Sequence, residues 1–177
     1  REYELDAYVA AEAGQITTDV EQMRENIRQN MVFIPLVVLI GLAMIWLLFR
    51  RWMAVVVGAA VLACVVSSTL SLFVLFDTPF NLISAILPPL LSALTIAALV
   101  HLFNALSYSA RRGKQGVERV RFALTEVRRP ALFNALTTMA GFASLGLSDI
   151  PPIKSLGLAT AAGVGFIYVV VFHVVPA

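Results

Sequence analysis

The stretch Asn81 to Leu106, NLISAILPPLLSALTIAALVHLFNAL, sets the terms for the whole chain. From Ile83 onward it outlasts the ~20 apolar residues that a helix needs to cross a hydrocarbon layer roughly 30 Å thick, and only His101 in the apolar run can carry charge. Lipid offers the backbone of such a segment no hydrogen-bond partners, so it must satisfy itself as a helix. Residues 83–106 therefore read as a membrane span. Four further runs have the same character, at 31–49, 53–76, 130–147 and 153–175. Charged residues make up 14% of the chain, against about 25% in a soluble domain, and hydrophobic residues 59%.

Ahead of the spans, Glu2 to Ala10 alternates polar and apolar, with Tyr3, Leu5, Ala7 and Val9 on one side, the period of a short strand. Thr18-Asp19-Val20-Glu21 has the form of a capping box, and Ile16, Val20, Met23 and Ile27 make one helical stripe. Residues 1–30 hold seven of the eleven acidic residues and read as the end of an extracytoplasmic domain, strand then amphipathic helix. Residues 31–177 read as the transmembrane domain. The predicted fold class is all-α membrane: a five-helix bundle preceded by a short strand-helix segment. Arg1 follows no initiator Met and no cleavable leader, and an apolar run stops at Ala177, so further chain is expected on both sides.

Charge orients the spans. Arg50-Arg51 and the seven basic residues between Ser107 and Arg129 mark one side; Asp77, Asp149 and Lys154 mark the other, with the acidic N-terminal segment. The positive-inside rule makes the first side cytoplasmic, with the N-terminus outside and the C-terminus inside. Residues 115–128, with Val117, Val120, Ala123 and Leu124 at helical spacing, read as an amphipathic helix on the cytoplasmic membrane surface.

Within the spans, polar and small residues carry what functional signal there is. An ionisable group there is a candidate functional site, and His101 is one; its alternative role is a hydrogen bond to a neighbouring helix. Asn134, Thr137 and Thr138 share a helical side and could face His101 and Asn104 across the bundle. They would serve either as a polar transport site or as interhelical glue worth about 0.6 kcal/mol apiece. Ser67, Ser68, Thr69 and Ser71 are expected to bond back to their own helix. Gly141, Gly157, Ala161 and Gly165 are candidates for close helix packing. Pro88-Pro89 predicts a kink in its span. The lone Cys64 excludes an internal disulfide. No His-Glu-x-x-His, Gly-x-Ser-x-Gly or phosphate-cradling loop occurs, so neither catalysis, nor a metal, nor a cofactor is expected. The basic residues bracket spans, which argues against nucleic acid as partner.

Longer strings then carry a resemblance. Phe49-Arg50-Arg51 closes the first span. Thr78-Pro79-Phe80-Asn81-Leu82-Ile83-Ser84-Ala85-Ile86-Leu87-Pro88-Pro89 leads into the third, and Arg129-Pro130-Ala131-Leu132-Phe133-Asn134-Ala135-Leu136-Thr137-Thr138-Met139-Ala140-Gly141-Phe142 opens the fourth. Ile150-Pro151-Pro152-Ile153 and Leu156-Gly157 follow. Together they resemble spans two to six of one half of a resistance-nodulation-division (RND) transporter. The similarity is to the MMPL-type and hydrophobe/amphiphile exporter branch, whose spans also resemble the sterol-sensing domain. The resemblance implies export of lipids or other amphiphiles across the bacterial inner (cytoplasmic) membrane, coupled to an ion gradient. Implied partners are membrane lipid, a hydrophobic or amphiphilic cargo, and a second half or a second copy. A sterol-sensing-like module that binds lipid or a protein without transporting is the alternative. Proton-driven members carry a carboxylate in a pattern like Gly-x-x-Asp-Tyr-x-x-His; with His101 as that histidine, the carboxylate position holds Ala97.

Overall fold

The computed structural model describes residues 16–75 and 84–176, and every element among them is helical. Helix α1 spans Ile16–Phe49, α2 Trp52–Leu75, α3 Leu87–Arg111, α4 Gly116–Ser144 and α5 Pro151–Val169. Short 3-10 turns precede α3 at Ser84–Ile86 and follow α4 at Leu145–Leu147, and one wide π turn, Val170–Val174, extends α5. All five helices are long and apolar enough to cross a membrane. The strand expected at Glu2 to Ala10 lies outside the described residues, as does the loop after α2. Thr18, expected at a helix cap, is already inside α1.

Local chemistry sets the boundaries. Arg50 takes a left-handed φ of 48°, and its amide donates to the Trp46 carbonyl at 2.7 Å, which closes α1 and lets α2 start at Trp52. Pro88 and Pro89 do not kink a span as expected: they occupy the first turn of α3, where a missing amide donor leaves no bond unmade. At its other end α3 runs past Leu106 to Arg111. Gly113 and Gly116, with φ of 78° and 54°, then reverse the chain. Two bonds clasp this hairpin: the Ser109 hydroxyl donates to the Arg119 carbonyl, and Arg119 Nε to the Leu106 carbonyl, both at 2.9 Å.

The segment read as a surface helix and the span after Pro130 form one continuous helix, α4. Its 29 residues reach about 44 Å at a rise of ~1.5 Å per residue, more than a hydrocarbon layer needs, so its basic half continues the line of the span. Pro130 removes one amide donor without ending the helix.

Helices α3 and α5 sit in the middle and α1 and α4 at the edge: half of the most apolar stretch of α5 is buried, against 6% of that of α4. The core joins Ile45, Val65, Leu87, Leu91, Leu99, Leu102 and Val171. Lipid tails are as apolar as these side chains, so close packing rather than the hydrophobic effect holds the rods together. A Cβ at Gly157 would lie 2.6 Å from both the Leu145 Cβ and the Phe142 carbonyl oxygen, and one at Gly165 3.1 Å from Met139. Ala161 is buried beside them. Gly141 does not join them: it lies on the open side of α4, where a Cβ meets nothing within 4 Å. Buried hydroxyls are satisfied at home, Thr69 on the Val65 carbonyl (2.8 Å), Thr95 on Leu91 (2.7 Å) and Thr160 on Leu156 (2.7 Å).

Candidate functional site

A cavity of about 340 Å3 opens between α3, α4 and α5. Helix α3 contributes Leu94, Ala97, Ala98 and His101, one face at spacings of three and four residues. Helix α4 contributes Val127, Pro130, Ala131, Asn134, Ala135 and Thr138 from a single face, and α5 contributes Val164, Ile167, Tyr168 and Phe172. The space exists because small residues meet there. Four alanines, Ala97, Ala98, Ala131 and Ala135, face a region that larger side chains would fill.

Three of the residues singled out in the sequence, His101, Asn134 and Thr138, meet in this cavity. None of their side chains has a hydrogen-bond partner among the described residues, so all three remain able to bond a guest. Among the described residues, the interhelical hydrogen bond expected as the alternative role of His101 is not formed. His101 and Asn134 are exposed at the open side of the cavity, and Asn104 is exposed outside it. Thr137 also stays outside, and its hydroxyl donates to its own helix, to the Phe133 and Asn134 carbonyls at 3.0 Å each. Ala97 lines the wall, and no lining residue is acidic. Pro130 leaves the Glu126 carbonyl without its helical donor beside the cavity.

Contacts show what shares the depth of His101. The rings of Phe49 and Phe103 meet edge to face at 5.5 Å, which brings the Arg50-Arg51 end of α1 to that part of α3. Val127 and Pro130 share the cavity with Ala98 and His101, which brings Arg128 and Arg129 to the same level. Arg128 Nη2 lies 2.5 Å from His173 Nε2, and the His173 ring stands edge to face with Tyr168 at 5.4 Å. The π turn carries His173, and nothing in the sequence marks it. Tyr168, Phe172, Ala98, Ala131 and Ala135 were not singled out in advance, although Leu94, Ala97, Ala98 and His101 repeat at helical spacing.

Residues 47–175 match the sterol-sensing domain, described as the sterol-sensing domain of SREBP cleavage-activation. A protein of Methanocaldococcus jannaschii, MJ1562, named as a predicted membrane protein, is 27% identical over 156 residues, which cover 88% of this chain and 40% of the relative. The chain thus spans about two fifths of that relative's length. No solved structure gives a significant match. The family match begins at the end of α1 and runs through the cavity to the π turn. The chain is a multi-pass membrane protein and belongs to the sterol-sensing domain family.

Proposed function

We propose that this bundle is the membrane half-domain of an RND/MMPL-type transporter that exports lipids or other amphiphiles, driven by an ion gradient through the rest of the protein. The observation that carries this reading is the cavity, a mostly apolar groove in which His101, Asn134 and Thr138 present polar atoms that have no partner among the described residues. Such a chamber suits a cargo that is mostly hydrocarbon with a few polar atoms. With Ala97 where the resemblance expects a carboxylate, the ion relay belongs to another part of the protein, in a second half or a second copy. The arginine-rich end faces the cytoplasm, with the N-terminus outside and the C-terminus inside, an orientation that the charge asymmetry supports; the membrane is the cytoplasmic membrane of a bacterium. The protein moves molecules and does not transform them.

A second reading, a non-transporting module that binds lipid or a partner protein, is favoured by the family match and by Ala97. Reconstitution of the intact protein into proteoliposomes separates the two. Under an imposed proton or sodium gradient, fluorescent NBD-lysophosphatidylethanolamine, a single-tailed lipid, crosses between leaflets faster than in empty vesicles if the bundle transports. Movement indifferent to the protein and to either gradient leaves the second reading in its place.

A further inference from the structure

We infer that the cavity takes a single-tailed anionic amphiphile, a long-chain carboxylate, from the leaflet at the arginine-rich end. The inference rests on the cavity being a lipid site, which both readings above share. Its volume, about 340 Å3, falls at the small end of the ~300–1,000 Å3 typical of ligand pockets. That is room for one hydrocarbon chain, in a groove whose open side leaves Ala97, His101 and Asn134 exposed. The deep walls, Leu94, Val164, Ile167 and the alanines, are apolar. Thr138 adds one hydroxyl to these walls, free to bond a polar atom of the guest or, where the guest is only hydrocarbon, to turn back toward its own helix.

The end of the cavity at the depth of His101 is different. Val127 and Pro130 line the cavity and flank Arg128 and Arg129 in sequence, and Arg50 and Arg51 follow α1 at the same level. None of these four arginines is in a salt bridge among the described residues, where the pairs are Arg28–Glu25 and Lys114–Glu118, although Arg128 also contacts the His173 ring. Glu126 is the acidic side chain at that level and is outnumbered. Excess positive charge over an apolar chamber matches a carboxylate head on a hydrocarbon tail, with the His101 ring and the Asn134 amide as further partners for the head.

The test uses cis-parinaric acid, a fluorescent long-chain carboxylate, and its uncharged methyl ester. Each is titrated onto the intact protein in phosphatidylcholine nanodiscs, with empty nanodiscs as background. Saturable binding is expected, with the acid tighter than the ester. Changing Arg128→Gln and Arg129→Gln should weaken the acid about fivefold per arginine, from roughly 1 kcal/mol for each cation near the surface, and leave the ester unchanged. Ala131→Phe or Ala98→Phe, whichever keeps the wild-type unfolding temperature, should abolish both by filling the chamber. Equal affinity for acid and ester overturns the inference, as does binding that survives both filled cavities. The two readings fail separately: acid binding without gradient-driven movement of the single-tailed lysophospholipid overturns transport alone, and movement without preference for the acid overturns this inference alone.

Discussion

Gly157 and Gly141 mark the two extremes of what a glycine does in this bundle, and replacing each by alanine tests the packing between α4 and α5. A Cβ at Gly157 lands 2.6 Å from the Leu145 Cβ and from the Phe142 carbonyl oxygen, where ordinary contact begins at 3.4 Å. The two elements must part by about 0.8 Å, because a backbone oxygen and a Cβ cannot swing aside as the tip of a side chain can. Overpacking of this kind costs about 1–3 kcal/mol, and the better helix propensity of alanine returns at most ~1 kcal/mol. A net loss of about 1–2 kcal/mol corresponds to a fall of roughly 2–8 °C in unfolding temperature for a chain of this size. Gly141→Ala gains the same propensity and meets no atom within 4 Å, so it should hold or slightly raise that temperature. Thermal unfolding of both variants in nanodiscs, followed by circular dichroism, decides. Gly157→Ala as stable as wild type refutes the close α4–α5 packing. Gly141→Ala falling as far as Gly157→Ala refutes the open face and shows that another protein surface covers it.

The remaining predictions concern the hairpin, the histidine and the orientation. Ser109→Ala removes a buried hydroxyl from the Arg119 carbonyl and should cost about 1 kcal/mol, read as faster amide exchange at the α3–α4 hairpin with the outer leaflet end of the bundle unchanged. His101→Ala in the intact protein should leave expression and unfolding temperature near wild type, since the ring has no hydrogen-bond partner to lose; loss of lipid movement at normal membrane levels would make it a transport residue. Gln115→Cys, exposed at the hairpin, should react with a membrane-impermeant maleimide only after the cytoplasmic face is opened, in a Cys64→Ser background. Labelling of intact cells would reverse the orientation.

The five rods were legible because lipid enforces length and composition together: a segment long and apolar enough to span has few other places to go. Their ends were harder to place. Basic residues at Arg111 to Arg129 mark where the membrane stops, whereas a helix stops where its backbone finds a cap. Here the reversal happens at Gly113 and Gly116, and the helix starting at Gly116 passes straight through Pro130, which costs it a single donor. Pro88-Pro89 failed as a kink for the converse reason: the α-helix starts at Leu87, so the missing amides fall among those that every helix leaves unpaired at its start.

At the site, polar residues were legible and empty space was not. His101, Asn134 and Thr138 stand out in an apolar run, but a cavity made by four alanines is an absence of side chains and leaves no motif. Ala97 is the telling position, because it lies one turn from His101 on the cavity face of α3, so a carboxylate there would project into the chamber. Ala97→Asp tests what the chamber is for. An aspartate at a helix centre costs about 2.5–3.5 kcal/mol to insert, so some loss of yield is expected. In the protein that does fold, the new negative charge occupies part of the volume and repels a carboxylate head, so cis-parinaric acid should lose more affinity than its methyl ester. Equal losses would mean that the aspartate acts by bulk alone and that the head lies elsewhere. An unchanged affinity for both would mean that the guest does not enter between α3 and α4 at all.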